Sequence, residues 1–178
     1  MFDGLGTANY ILINPPAIVS AKNITIKNRS FVGVGIACNI GIGTTVTAAG
    51  DILMENLAST GDDAISLDGD LIADGDIIIR NNTTSCVDRN AINIDLSSAS
   101  IISKSGMVLF KKNKNTSVSG TSSHGIEIGS NAITEGRIIH FSENSSSVAG
   151  CSGVHIGNFA FVTARDGMYF ENNVGGDM

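Results

Sequence analysis

Six copies of one short pattern recur along the chain at nearly constant spacing, and that period limits the fold more than any other feature. The copies are Asn23-Ile-Thr-Ile-Lys-Asn28, Asp51-Ile-Leu-Met-Glu-Asn56, Asp76-Ile-Ile-Ile-Arg-Asn81, Met107-Val-Leu-Phe-Lys-Lys-Asn113, Ile138-Ile-His-Phe-Ser-Glu-Asn144 and Met168-Tyr-Phe-Glu-Asn-Asn173. Each closes on a large apolar residue: Ile26, Met54, Ile79, Phe110, Phe141 and Phe170, with steps of 28, 25, 31, 31 and 29 residues. A second element falls between them, as Asp63-Ala-Ile-Ser-Leu67, Asn90-Ala-Ile-Asn-Ile94, His124-Gly-Ile-Glu-Ile128 and Gly153-Val-His-Ile156. Its alternation of apolar and polar positions is that of a strand with one buried face. A weaker third strand follows at Leu71-Ile72, Ile101-Ile102 and Ala132-Ile133.

One such copy cannot bury its apolar face alone, whereas coiled and stacked copies pair every strand with its counterpart above and below. Three short strands per turn and a period near 29 predict a right-handed parallel β-helix of about six coils. Stacked at ~4.8 Å, they make a rod on the order of 29 Å long. The repeat domain is expected over residues 21–178. Residues 1–20 are expected to form an irregular lead-in or cap, because Pro15-Pro16 cannot donate to a ladder.

Composition agrees with strands and tight turns. The chain has 24 Ile against 8 Leu, and 21 Gly and 17 Asn against 2 Pro. β-Branched side chains suit a pleated surface, and Gly and Asn tolerate positive φ. The net charge of −6 comes without a basic stripe, which argues against nucleic acid as a partner. No apolar stretch reaches the ~18 residues of a membrane span, and no signal peptide is visible. Either the chain is cytosolic or it is a piece of a longer secreted protein, and the second is the expectation. Cys38, Cys86 and Cys151 show no metal-ligand spacing, and isolated thiols are expected.

The motif Phe-x-x-Asn stands intact as Phe110-Lys-Lys-Asn113, Phe141-Ser-Glu-Asn144 and Phe170-Glu-Asn-Asn173, with Ile79-Arg-Asn-Asn82 and Met54-Glu-Asn-Leu57 as degraded copies. Its partner is present in reduced form as Asp62-Asp-Ala-Ile65, Arg89-Asn-Ala-Ile92 and Ser123-His-Gly-Ile126. Together these resemble the FxxN and GGA-[ILV] repeats of the chlamydial polymorphic membrane proteins, an autotransporter family. The resemblance covers residues 50–173 and implies a β-helical passenger displayed on the cell surface or outer membrane, adhering to host cells. Independently of any family, Phe at the strand end should face inward. Asn three residues later should take an αL turn or bond its amide to the Asn of the next coil.

Gly61-Asp62-Asp63 and Ser123-His124-Gly125 also resemble the DD and GHG motifs of polygalacturonase-type glycoside hydrolases, which implies Asp62, Asp63 and His124 as catalytic groups. Such chemistry needs its carboxylates close together. Here 62 and 124 lie about two coils apart, and Gly153-Val-His-Ile-Gly157 repeats the His124 pattern as ordinary filling. The carboxylate run Asp68, Asp70, Asp74 and Asp76 offers oxygen ligands for calcium, without an EF-hand loop around them. His140 and His155 have no metal-type partner at i+2 or i+4. No phosphate cradle or nucleophile with its base is present, so neither cofactor nor enzyme activity is expected.

The sequence thus predicts a non-catalytic adhesin or rigid spacer segment, with a host-cell surface protein or glycan as partner and end-to-end self-association at the open coils. The turns at 113–123 and 144–153 are its expected contact surface. The alternatives are a carbohydrate-acting or carbohydrate-binding β-helix and a viral or phage fibre segment.

Overall fold

The computed structural model describes residues 2–3, 11–95 and 99–176. Among them every regular element is a strand, every ladder is parallel, and the strands stack as a parallel β-helix of about six turns. One sheet has six strands: Ile11–Ile13, Cys38–Ile40, Ile65–Leu67, Ile92–Ile94, Ile126–Ile128 and Val154–Ile156. The other carries three columns. The first runs through Ile18–Ala21, Thr45–Ala48, Asp70–Ala73 and Ser100–Ser103 into Ile133–Ser142 and Phe161–Glu171. The second holds the repeated pattern, from Ile24–Phe31 through Ile52–Ser59, Ile77–Arg80 and Met107–Lys111 to the later halves of the same two long strands.

Its register is the one the repeat predicts: Ile26 pairs with Met54, Met54 with Ile79, Ile79 with Phe110, Phe110 with Phe141 and Phe141 with Phe170. The aligned side chains are buried from Ile26 to Phe141. Phe141 stacks on Phe110 at 5.1 Å and on Phe170 at 4.8 Å between ring centroids. On the six-strand sheet the inward line is Ile11, Cys38, Ile65, Ile92, Ile126 and Val154. Burying one such Ile or Phe contributes about 1.5–3 kcal/mol, so these lines are the main source of stability.

Four differences from the sequence reading have physical causes. The third element pairs Leu71 with Ile101 and Ile101 with Thr134, so Ala132-Ile133 stands two residues away from the place assigned to it. The same faces still point inward. A fourth column also exists, formed by the ends of Ile24–Phe31 and Ile52–Ser59 and then by Thr83–Thr84, Lys114–Asn115, Ser145–Ala149 and Val174–Gly176. It takes in part of the stretches 113–123 and 144–153, which the sequence suggested as turns. Further, Ile11–Ile13 and all but the last residue of Ile18–Ala21 fall inside the stretch expected to be an irregular lead-in, and both strands pair in register with the next coil. Pro15-Pro16 sits in the turn between them, where no ladder donor is needed.

The fourth difference concerns the Asn of Phe-x-x-Asn. The αL residue is the one before it: Asn28, Asn56, Asn81, Lys112, Glu143 and Asn172 all have φ between 52° and 57°. That corner turns the following Asn into the core, where Asn82, Asn113 and Asn144 are fully buried. Asn82 donates through Nδ2 to Oδ1 of Asn113 at 2.9 Å, Asn113 to Asn144 at 3.0 Å, and Asn144 to Asn173 at 2.9 Å. The second Nδ2 proton goes back one coil, from Asn113 to the carbonyl of Ile79, from Asn144 to Phe110 and from Asn173 to Phe141. Of the two roles open to this Asn, coil-to-coil bonding is the one it performs.

Candidate functional site

The outward residues of the six-strand sheet form a polar column. Asn39, Ser66, Asn93, Glu127 and His155 are successive Cα partners, one per coil. Beside it, two residues ahead of three of these strands, stand Asp63, Asn90 and His124. The two lines are cross-linked. Asp63 accepts from the backbone N–H of Asn90 at 2.6 Å and from Nδ2 of Asn93 at 3.0 Å. Asn90 in turn accepts the N–H of His124 at 2.8 Å and donates Nδ2 to Oε2 of Glu127 at 2.7 Å.

His124 and Asp63 are separated by the coil that carries Asn90, so Asp62, Asp63 and His124 do not share a cleft. Asp62 is engaged by Nε of Arg89 at 2.7 Å. Burial pushes the Asp63 carboxyl up to about 6, against the lowering effect of its bonds from Asn90 and Asn93. A general acid needs such a shift, but a hydrolytic pair also needs a second carboxylate facing the same bond. Its neighbour in the chain, Asp62, is held by Arg89.

What the fold does assemble is His124, Glu127 and His155, whose ligand-type atoms all lie within 4.8 Å of one another. The imidazoles stack with centroids 4.6 Å apart, and Nδ1 of His155 lies 3.6 Å from Oε1 of Glu127. Nδ1 of His124 accepts the backbone N–H of Ser152 at 3.0 Å. Burial, and then the neighbouring His155, lower the His124 pKa, which favours the neutral ring. A cleft of about 280 Å³ opens alongside, lined by Asp95, Glu127, Ser130, His155 and Asn158. Sequence spacing hid this group because its members come from adjacent coils. The signal was the period itself, which makes Glu127 and His155 direct partners.

The other candidates are dispersed. Asp68 accepts from Ser66 Oγ at 3.3 Å, with its pKa raised chiefly by burial, and Asp70 accepts from Ser100 Oγ at 2.5 Å. Asp74 pairs with Lys104 at 2.8 Å, while Asp76 accepts the N–H of Met107 at 2.8 Å. Each carboxylate thus has its own partner: Ser66 on the same coil for Asp68, and Ser100, Lys104 and Met107 on the next coil for the others. All three cysteines are free thiols, Cys38 and Cys151 buried and Cys86 half-buried. Phe110, Phe141, Asn113 and Asn144 face the interior, and Phe170 and Asn173 continue their stacks onto the last described coil.

No protein-family model, no curated protein and no solved structure matches the chain.

Proposed function

We propose that this chain is a non-catalytic β-helical segment of a surface-displayed or secreted protein, serving as an adhesin or a rigid spacer. The observation that carries this reading is how the polar groups are used. Buried amides bond coil to coil, and the carboxylates that could have served hydrolysis are taken up by Arg89, Asn90 and Asn93. A rod held this way presents its outward faces with little adjustment, which suits recognition on a fixed scaffold. The connection between Asn115 and Ile126 is the strongest candidate for contact. Its Thr116, Val118, Ser119 and Thr121 are exposed, and it is tied down by Asp88, which accepts the N–H of Thr121 at 2.6 Å and of Ser122 at 3.3 Å.

Beads coated with the chain are expected to bind cultured epithelial cells saturably, with competition by soluble protein. Binding no greater than that of an unrelated β-helix would remove the adhesin half of the proposal. A second reading, a carbohydrate-binding β-helix, is favoured by the outward column of Asn39, Ser66, Asn93, Glu127 and His155. Hydroxyl-rich ligands are recognised by such arrays of amides and carboxylates. Glycan-array binding lost on Glu127→Ala would favour it over adhesion through the corner turns.

A further inference from the structure

We propose that His124, Glu127 and His155 form a binding site for a borderline transition-metal dication of the zinc class. The site is separate from the adhesin reading and stands or falls without it. Two imidazoles and one carboxylate are a donor set that such ions favour over calcium or magnesium, which take all-oxygen shells. Three potential ligand atoms within 4.8 Å need only a modest closure to reach bonding distance of one ion.

The surroundings are arranged as ligand-orienting partners would be. Asn90 binds Oε2 of Glu127 and leaves Oε1 on the side of His155, while its own Oδ1 holds the backbone of His124. One residue on the preceding coil therefore positions two of the three donors. The adjoining cleft gives a hydrated ion access, with room for water in the remaining coordination positions.

His124 has to change partner. Its Nδ1 now accepts from Ser152, so in the neutral ring the proton sits on Nε2. Ligation ends the Ser152 bond by either nitrogen: through Nδ1 the lone pair goes to the ion, and through Nε2 the ring proton moves to Nδ1, which then no longer accepts. The Ser152 N–H is thus a built-in reporter, and this exchange sets the affinity below that of a fully preformed site.

The test uses the tag-free full chain carrying Cys86→Ser, which removes the most exposed thiol as a competing ligand. Titration with Zn²⁺ is expected to give one saturable site and to raise the unfolding temperature, and Co²⁺ is expected to give visible absorption of nitrogen–oxygen coordination. His155→Ala and Glu127→Gln, checked for folding by circular dichroism, are expected to weaken binding at least tenfold. The Ser152 amide resonance is expected to shift on binding in the parent and not in His124→Ala. Absence of a saturable site for both ions would overturn the proposal. Binding of unchanged strength in the His155 and Glu127 variants would overturn it equally, by placing the ion elsewhere.

Discussion

Asn113 donates both its backbone N–H and its Nδ2 to the single Oδ1 of Asn144, each at 3.0 Å, and neither residue is exposed to solvent. One oxygen therefore satisfies two buried donors of the coil before it, while Nδ2 of Asn144 caps the carbonyl of Phe110. Removing the amide strands all three groups. Asn144→Ala is expected to lower stability by about 3–5 kcal/mol, given ~1–3 kcal/mol for each buried group left without a partner. Urea unfolding measures it; a loss below that of a surface Asn→Ala control would mean the ladder is energetically idle.

Thr134 is the reverse case. It continues the inward line of Leu71 and Ile101 toward Val162, yet its buried Oγ1 has no hydrogen-bond partner. Thr134→Val keeps the shape and removes the unmet hydroxyl. Stability is expected to rise by about 1–2 kcal/mol, seen as a higher urea midpoint at unchanged slope.

Asp63 should leave a mark on the pH dependence of stability. Its folded pKa of about 6 lies above the ordinary 3.8, so the folded chain holds the proton more tightly than the unfolded chain. The contribution of this group is complete below about pH 4, declines as pH rises toward 6, and is then absent. A shift of about two units corresponds to about 3 kcal/mol at most. Asp63→Asn is expected to flatten that slope, because an amide there does not titrate between pH 4 and 7. Unfolding measured from pH 4 to 7 in both proteins checks it; equal slopes would assign the titration to other groups.

The cysteines should separate by reactivity. Burial pushes the Cys38 thiol up to about 12, and Cys151 is likewise buried, with Sγ accepting the N–H of Ser123 at 3.4 Å. Cys86 has the most open surroundings of the three. One thiol is expected to react promptly with a disulfide reagent in the native protein and three in denaturant. Fast reaction of Cys38 would show that the coil opens easily near the N-terminal end.

Much of this architecture was legible because a coiled repeat turns alignment into contact. Superposing Ile79, Phe110 and Phe141 by eye already gives their ladder partners. The third element is misread for a definite reason: a two-residue slip preserves which side chains face inward, so the apolar pattern cannot distinguish Ile133 from Glu135 opposite Ile102. The αL position was hidden because Asn stands at both the corner and the ladder in Asn81-Asn82 and Asn172-Asn173. The copies with Lys112 and Glu143 at the corner separate the two roles. The fourth column is two polar residues long in places, too short for any period to register. The His124, Glu127 and His155 group is invisible to local spacing, because Glu127 and His155 meet only through the coil period.

The asparagine ladder also has a direction. Every forward Nδ2 bond from Asn82 to Asn173 points the same way along the axis, and at the far side Oδ1 of Asn82 is met by the N–H of Leu57 at 2.9 Å. The rod is thus an arrow, with amide donors at its tip and acceptors toward its tail. A neighbour that extended the ladder past Asn173 would have to present oxygen to it. Two copies meeting tip to tip would set donor against donor, and any filament built on this motif would be polar, with ends that grow differently.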